Sequence, residues 1–423
     1  MKGLTISLLF LCLLGLGNEV FGQTLKCTTQ SYHQMRMETD PEYAKQFLIQ
    51  QIKLQENLKR IEKISKSRGP GECPVDKIEI PVVIHYQSPA NPTDAQKACL
   101  TELAQDHMAV FNQNFSGESC ASDGGGSCIK FTIANQNHPA TSGLVDGELA
   151  IMFGSNPCPA GDPCAIPAWN GYLNLVVQDA DAAPDLLGIA PLGGSPTSEN
   201  SVVVSSCAWG TDNIACASSI PNYVGSGNCS GNFAPYVGGI TAAHETGHFF
   251  NLRHVFCIDP LVLTPSGPDN SNSSGSVTAA EAAMDMGNYE SGPAGGCTTT
   301  TCDCDEVADT PPQAFAEYGG GPTCTPRSNP SNGVANFEYN NIMDYGDDAC
   351  LSCFTAGQKD RVLAHCTSIA GQFLANRTGF VAPPAVAQNP IPTMSEWGLM
   401  IFGLLVLNLG VFAMLRGGLL EGN

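Results

Sequence analysis

His244-Glu245-Thr246-Gly247-His248-Phe249-Phe250-Asn251-Leu252-Arg253-His254 is the stretch on which the reading of this chain turns. It holds three of only eight histidines, four and six residues apart around one glutamate. From the composition, a chance run of this kind is expected at roughly three in ten thousand. On a helix, residues i and i+4 share a face, so His244 and His248 can grip one metal ion with Glu245 beside it. A straight helix would carry His254 about 15 Å beyond His244, too far to share that ion. The chain is therefore expected to leave the helix between Phe250 and Leu252, with Asn251 taking the positive φ usually given to glycine. If the stretch is distorted anywhere, Asn251 is the expected place.

Three histidines leave a fourth position open for water at a catalytic zinc. Zinc lowers the pKa of water from ~15.7 toward ~7, and Glu245 is placed to take its proton and hand it to a leaving amine. A structural zinc would have no use for the glutamate.

The rest of the chain supplies an address. Nineteen Lys+Arg against 40 Asp+Glu give a formal charge of −21, which argues against nucleic acid as a partner. Residues 1–22 carry Lys2, the apolar run Leu4–Leu16 and Gly22 before Gln23, the pattern of a secretory signal. Export makes disulfides the expected use of most of the 19 cysteines. The lone Cys-x-x-Cys unit, Cys350/Cys353, has no second unit with which to build a structural zinc site.

Residues 23–72 read as a propeptide. They hold a helical stretch from about Asp40 to Ser67 with Phe47, Ile49, Ile52, Leu54, Leu58, Ile61 and Ile64 as its apolar stripe, ended by Arg68-Gly69-Pro70-Gly71. A docked helical arm is the alternative. The main domain, 73–376, opens with the strand Lys77–Tyr86 and a helix capped by Thr93/Asp94. Strands are expected at Ile129–Ala134, Tyr172–Gln178 and Ser201–Ser205, which gives an α+β fold with a mixed, mostly parallel twisted sheet and a disulfide-rich C-terminal subdomain. Ser201–Ser205 is expected at the sheet edge where substrate would lie. His85 and His107 read as core. Thr355-Ala356-Gly357-Gln358 reads as a capping box. Residues 377–390 are a Pro/Ala-rich linker. Residues 391–423 contain an apolar run long enough to span a bilayer, followed by Arg416.

The histidine stretch, with Tyr172-Leu173-Asn174-Leu175, Leu186-Leu187-Gly188-Ile189-Ala190, Asp309-Thr310-Pro311 and Asn341-Ile342-Met343-Asp344-Tyr345, resembles the metzincin metalloproteases and, within them, the pappalysin (cytophagalysin) family. The resemblance covers roughly residues 24–376. It implies a zincin fold and zinc held by His244, His248 and His254. It also implies Met343 as an apolar floor beneath them and Tyr345 as a partner of the metal or of the tetrahedral oxyanion. Lys26-Cys27-Thr28 resembles the family's latency signature, in which Cys27 would fill zinc's open position; Thr28 stands where glycine is usual, and an ordinary disulfide is the alternative. The resemblance further implies calcium near the long loop, where Asp305, Glu306, Asp309 and Thr310 offer oxygen ligands. Asp347 and Asp348 are expected to border the pocket after the cut bond and to favour Arg or Lys there. Ile391-Pro392-Thr393-Met394, the apolar span and Arg416 resemble a bacterial sorting signal, which implies a Gram-negative envelope protein met by processing machinery; a plain anchor is the alternative.

Together these features lead to the expectation of a secreted or cell-surface zinc endopeptidase, made as a zymogen and acting on proteins or peptides. The alternatives are a non-catalytic surface binding protein on the same scaffold, or a zinc amidase acting on cell-wall material.

Overall fold

The computed structural model describes residues 25–65, 77–116, 128–184, 186–211, 215–223, 226, 229, 233, 235–258, 305–310, 313–315, 324 and 340–374. The signal, the linker and the C-terminal sorting and membrane segment lie outside the described residues, as does most of the long loop. Among the described residues no helix is long and apolar enough to cross a membrane. The chain divides into a unit of Met1–Val381 and a second unit, Ala382–Asn423, which also lies outside the described residues.

The first described element is a short strand, β1 (Leu25–Cys27), followed by helices α1 (Thr29–Thr39) and α2 (Pro41–Ser65). Strand β2 (Ile78–Tyr86) and helix α3 (Asp94–Ser116) open the main domain, with β3 (Ile129–Ile133), β4 (Ile151–Phe153), β5 (Leu173–Gln178), β6 (Leu186–Ile189) and β7 (Ser201–Ser205) after them. Helix α4 (Ile240–Phe249) carries the histidines; β8 (Phe256–Ile258), β9 (Gln313–Phe315) and α5 (Ala356–Ile369) complete the set.

One sheet dominates, in the order β1-β6-β7-β5-β2-β3, with β4 pairing the far end of β2. Every pairing in it is parallel except β6 with β7. Burial accounts for the strand sequences. β2, β5 and β7 are almost continuous runs of buried residues, as strands covered on both faces must be. This overturns the edge position expected for Ser201–Ser205, because that strand lies between β5 and β6. On this side of the sheet the main domain's own last strand is β6, whose outer side is paired by β1 of the N-terminal segment.

The N-terminal helices pack on the main domain. On α2 the buried positions are Tyr43, Phe47, Leu54 and Ile61, close to a seven-residue repeat, whereas Ile49 and Ile52 of the expected stripe point outward, Ile52 with 62% exposed. A helix packed on another helix needs only this narrow seam. α2 lies along α5, where the Asn57 side chain donates to the Ala364 carbonyl. α5 begins with the capping box: Thr355 Oγ1 accepts from Gln358 N and the Gln358 side chain accepts from Thr355 N.

The core joins α3, β3, the end of α4 and the approach to α5 through Phe111, Phe115, Phe131, Phe250 and Phe354, with ring centroids 4.9–6.3 Å apart. His85 and His107 are buried: His85 bridges Ser155 and Asn174, and His107 stacks on Trp209. Disulfides join Cys99–Cys216, Cys158–Cys164, Cys207–Cys229 and Cys324–Cys350, while Cys128 and Cys353 are also disulfide-bonded. Three of these pairs lie N-terminal to the histidine helix; most of the expected disulfide-rich C-terminal subdomain lies outside the described residues. Cys27 and Cys366 are free thiols.

Candidate metal centre

Helix α4 runs beneath β6 and β7, and its first turn is held from a distance. Its N-cap, Gly239, offers no side chain; instead Asp348 Oδ2 accepts from Gly238 N (2.9 Å) and Ile240 N (3.2 Å), a carboxylate at the positive end of the helix. At the other end the helix closes in a regular Schellman motif, not a distorted turn. Asn251 N donates to His248 O (2.8 Å), Leu252 N donates to Gly247 O (2.9 Å), and Asn251 has φ 71°.

That turn folds His254 back toward the helix. The Nε2 atoms of His244, His248 and His254 stand 3.1–3.2 Å from one another. Each ring's other nitrogen is committed. His244 Nδ1 donates to Ile342 O (2.7 Å), His248 Nδ1 to Leu252 O (2.7 Å) and His254 Nδ1 to Gln30 Oε1 (3.1 Å). With Nδ1 protonated, each Nε2 presents a lone pair, and three lone pairs cannot hydrogen-bond one another. Burial and the neighbouring rings hold His248 and His254 well below the usual imidazole range, so both are neutral, the form that binds metal. Cys27 Sγ comes within 3.4 Å of His248 Nε2. The four ligand atoms all lie within 4.8 Å of one another. Nitrogens around a tetrahedral zinc ion are about 3.3 Å apart, so the three imidazoles fit zinc, with the Cys27 thiol beside the position they leave open.

Glu245 is fully buried against β6. A Cβ at Gly188 would stand 2.5 Å from Glu245 Cγ, so this strand position admits the glutamate only as glycine. Gly247 does the same for Met343, whose Sδ would stand 2.7 Å from a Cβ there. Glu245 Oε2 accepts from Thr29 Oγ1 (3.1 Å) and faces Cys27 Sγ at 3.6 Å; Thr29 Oγ1 in turn accepts from Ala190 N (3.0 Å). Burial pushes the Glu245 carboxyl up to about 8, against the lowering effect of Cys27 and Thr29. Burial first, then Glu245, pushes the Cys27 thiol well above its usual range. A dication among these groups reverses both effects, since it favours thiolate and carboxylate.

Tyr345 is buried against His254 and Phe256, and its hydroxyl donates to the Cys27 carbonyl (3.2 Å). A recess beside the histidines is lined by Tyr236, Ile240, Thr241, Asp344, Asp348 and Leu351 among others. Asp348 borders it while holding the helix amides; Asp347 is not part of its lining.

The four loop residues expected around calcium have other partners. Asp305 Oδ1 accepts from Val307 N and Thr310 Oγ1, Glu306 pairs with Arg361 and Arg253, and Asp309 accepts from Thr355 Oγ1 and Gly357 N at the start of α5. Among the described residues, the histidine–cysteine cluster is the one group of three or more metal-ligating side chains that converges.

Several site residues were hidden in the sequence. Thr29 and Gln30 follow the cysteine signature directly, yet nothing local ties them to residues more than 200 positions away. Asp348 is expected beside the pocket, but its hold on the helix amides is not, and nothing in the sequence singles out Tyr236.

The geometry defines a His₃ metal site with an adjoining carboxylate, covered by a cysteine from the N-terminal arm. No family model matches the chain. It is similar to an extracellular metalloprotease of Sordaria macrospora, 32% identical over 147 residues, which is 34% of this chain and 35% of that protein. An extracellular metalloprotease of Arthroderma otae is 32% identical over 132 residues, 31% of this chain and 33% of that protein. The chain thus spans about a third of the length of the curated relatives it matches. Among solved structures, a promirolysin variant of Tannerella forsythia aligns over 81% of this chain and 95% of its own, with TM-score 0.48 and 20% identity.

Proposed function

We propose that this chain is a secreted or cell-surface zinc endopeptidase of the metzincin type, held latent by its N-terminal segment. The observation that carries the reading is the convergence of three Nε2 lone pairs at 3.1–3.2 Å beside a buried glutamate, with Cys27 Sγ closing the set. The similarity to extracellular metalloproteases supports it.

Zinc held by His244, His248 and His254 would supply a water of lowered pKa and polarise the peptide carbonyl. The chain's own residues do the rest. Glu245 takes the proton from the attacking water and gives it to the leaving amine. Tyr345, released from the Cys27 carbonyl when the arm departs, donates its hydroxyl to the oxyanion. The outer side of β6, vacated by β1, offers its amides and carbonyls to an extended substrate, as an unpaired sheet edge does. Met343 supports the ligands from below. In the latent chain Cys27 would close the metal's open position while Thr29 engages the base and Gln30 the third histidine, so one short stretch covers these working groups.

Processing in the stretch before Cys73 would release residues 23–72. The recess bordered by Asp344 and Asp348 would take the side chain after the cut bond and favour Arg or Lys; a peptide-library profile with purely apolar preference there would refute this. Calcium near Asp305–Thr310 remains part of the reading, tested by calcium content of the purified chain. So does trimming of the C-terminal sorting segment by envelope machinery, tested by mass spectrometry of the mature terminus.

The central experiment compares zinc content and casein degradation before and after removal of residues 23–72. Zinc near one per chain in both forms, with chelator-sensitive proteolysis in the trimmed form and none in Glu245→Ala, is the expected result. Proteolysis unchanged in Glu245→Ala would sink the mechanism.

A further inference from the structure

His244 and His248 are fixed by the helix that carries them and by carbonyls of Ile342 and Leu252. His254 has neither advantage. It arrives through the turn at Asn251, and its Nδ1 leans on Gln30, which belongs to the N-terminal arm. Once that arm is removed, the third histidine is held by the turn and by the packing of its ring on Phe256 and Tyr345.

The turn is gripped by a single side chain. Arg361, on α5 and only 1% exposed, donates through Nε to the Asn251 carbonyl (2.8 Å) and through Nη2 to Asn251 Oδ1 (2.9 Å). The same Nη2 lies 3.2 Å from Glu306 Oε2, and Glu306 Oε1 lies 3.6 Å from Arg253 Nη1, on the residue just before His254. The planar guanidinium therefore holds the left-handed residue by its main chain and its side chain at once. A lysine, with one mobile ammonium, cannot reproduce that fork. The arrangement also gives a reason for asparagine at 251. Glycine would adopt φ 71° more readily, but it has no oxygen to offer the second arm of the fork.

We propose that Arg361 is a positioning residue for the third metal ligand: its two-point grip on Asn251 fixes the turn that delivers His254, and thereby sets how tightly the site holds its metal. The proposal rests on the reading of His244, His248 and His254 as ligands. Arg361 touches neither substrate nor metal, so its effect must pass through the turn. Outer contacts that orient ligands typically carry ten- to hundred-fold of a site's metal affinity.

The test measures zinc affinity of the full-length chain by competition with a chromophoric chelator, and the visible absorption of the Co²⁺-loaded chain, alongside thermal melting. Arg361→Met is expected to weaken zinc binding by about ten-fold or more and to alter the Co²⁺ bands. Arg361→Lys and Asn251→Gly should each fall between it and the unaltered chain, and adding Asn251→Gly to Arg361→Met should cost little more. Those two milder variants carry the test if Arg361→Met does not fold. His254→Ala is the reference. Zinc affinity within twofold of the unaltered chain in Arg361→Met, with a large loss in His254→Ala, overturns the grip and leaves the metal site standing. A lowered melting temperature with unchanged affinity and spectrum also overturns it, because that is what a purely structural arginine would give. Zinc affinity indifferent to His254→Ala sinks the metal reading and the proposal with it.

Discussion

Gly188→Ala is the sharpest single test of how the base is seated. The added methyl would stand 2.5 Å from Glu245 Cγ, 2.9 Å from Oε1 and 3.0 Å from Cδ, where ordinary contact begins at 3.4 Å. About 0.9 Å must therefore be found somewhere. The strand cannot readily retreat, because Gly188 is paired to Val204 of β7, an interior strand that the trimmed protein keeps. The helix cannot readily retreat either, since His244 and His248 flank Glu245 and are tied to Ile342 and Leu252. The carboxylate must move, and a misplacement near 1 Å costs on the order of a hundred-fold in rate. The trimmed protein carrying Gly188→Ala should show kcat/KM lowered by about that factor on a fluorogenic peptide, with zinc content unchanged. Activity within threefold of the unaltered enzyme would refute the argument, as would a parallel loss of zinc.

Three further outcomes follow from the same structure. Cys27→Ala removes one of the atoms that cover the site but leaves Thr29 on Glu245, Gln30 on His254 and α2 on α5, so the precursor should be only partly active; full activity on the peptide substrate would show that the cysteine alone maintains latency. Asp348→Ala deprives Gly238 and Ile240 amides of their acceptor and should destabilise the protein by about 1–2 kcal/mol in urea unfolding, where no change would dismiss its capping role. Asp360 is pushed up to about 6, chiefly by burial and then by Asp309 and Glu62. A carboxyl raised in the folded state favours that state at low pH and loses this contribution as pH climbs toward 6, so Asp360→Asn should flatten the fall in precursor stability between about pH 4 and 6; an unchanged slope would count against it.

Much of the site could be read from local spacing. Helical periodicity alone puts His244 and His248 on one face, and the roughly 15 Å reach of a straight helix demands a break before His254. The capping box at Thr355 and the buried core strands are likewise local patterns. The reading failed where one pattern served two contexts. Ser201–Ser205 looks the same whether it is an interior strand or an edge, because alternation is lost in any strand covered on both faces. The apolar stripe of α2 is wider than its buried seam because Ile49 and Ile52 are as apolar as the residues that are buried, and only the neighbouring helix selects among them.

The sequence by itself determined three imidazoles and a carboxylate in one short stretch of an acidic chain, with a turn required at Asn251. Those follow from residue type and short-range geometry, which a chain carries before it folds. Tertiary structure decided everything that depends on residues far apart in the chain meeting in space. It seated Glu245 on Gly188, hung the start of α4 on Asp348 and closed Arg361 around Asn251. It also laid Cys27, Thr29 and Gln30 over the histidines from more than 200 residues away. Such contacts leave no period or spacing in a sequence, because the sheet register and helix packing that create them are set by the whole core.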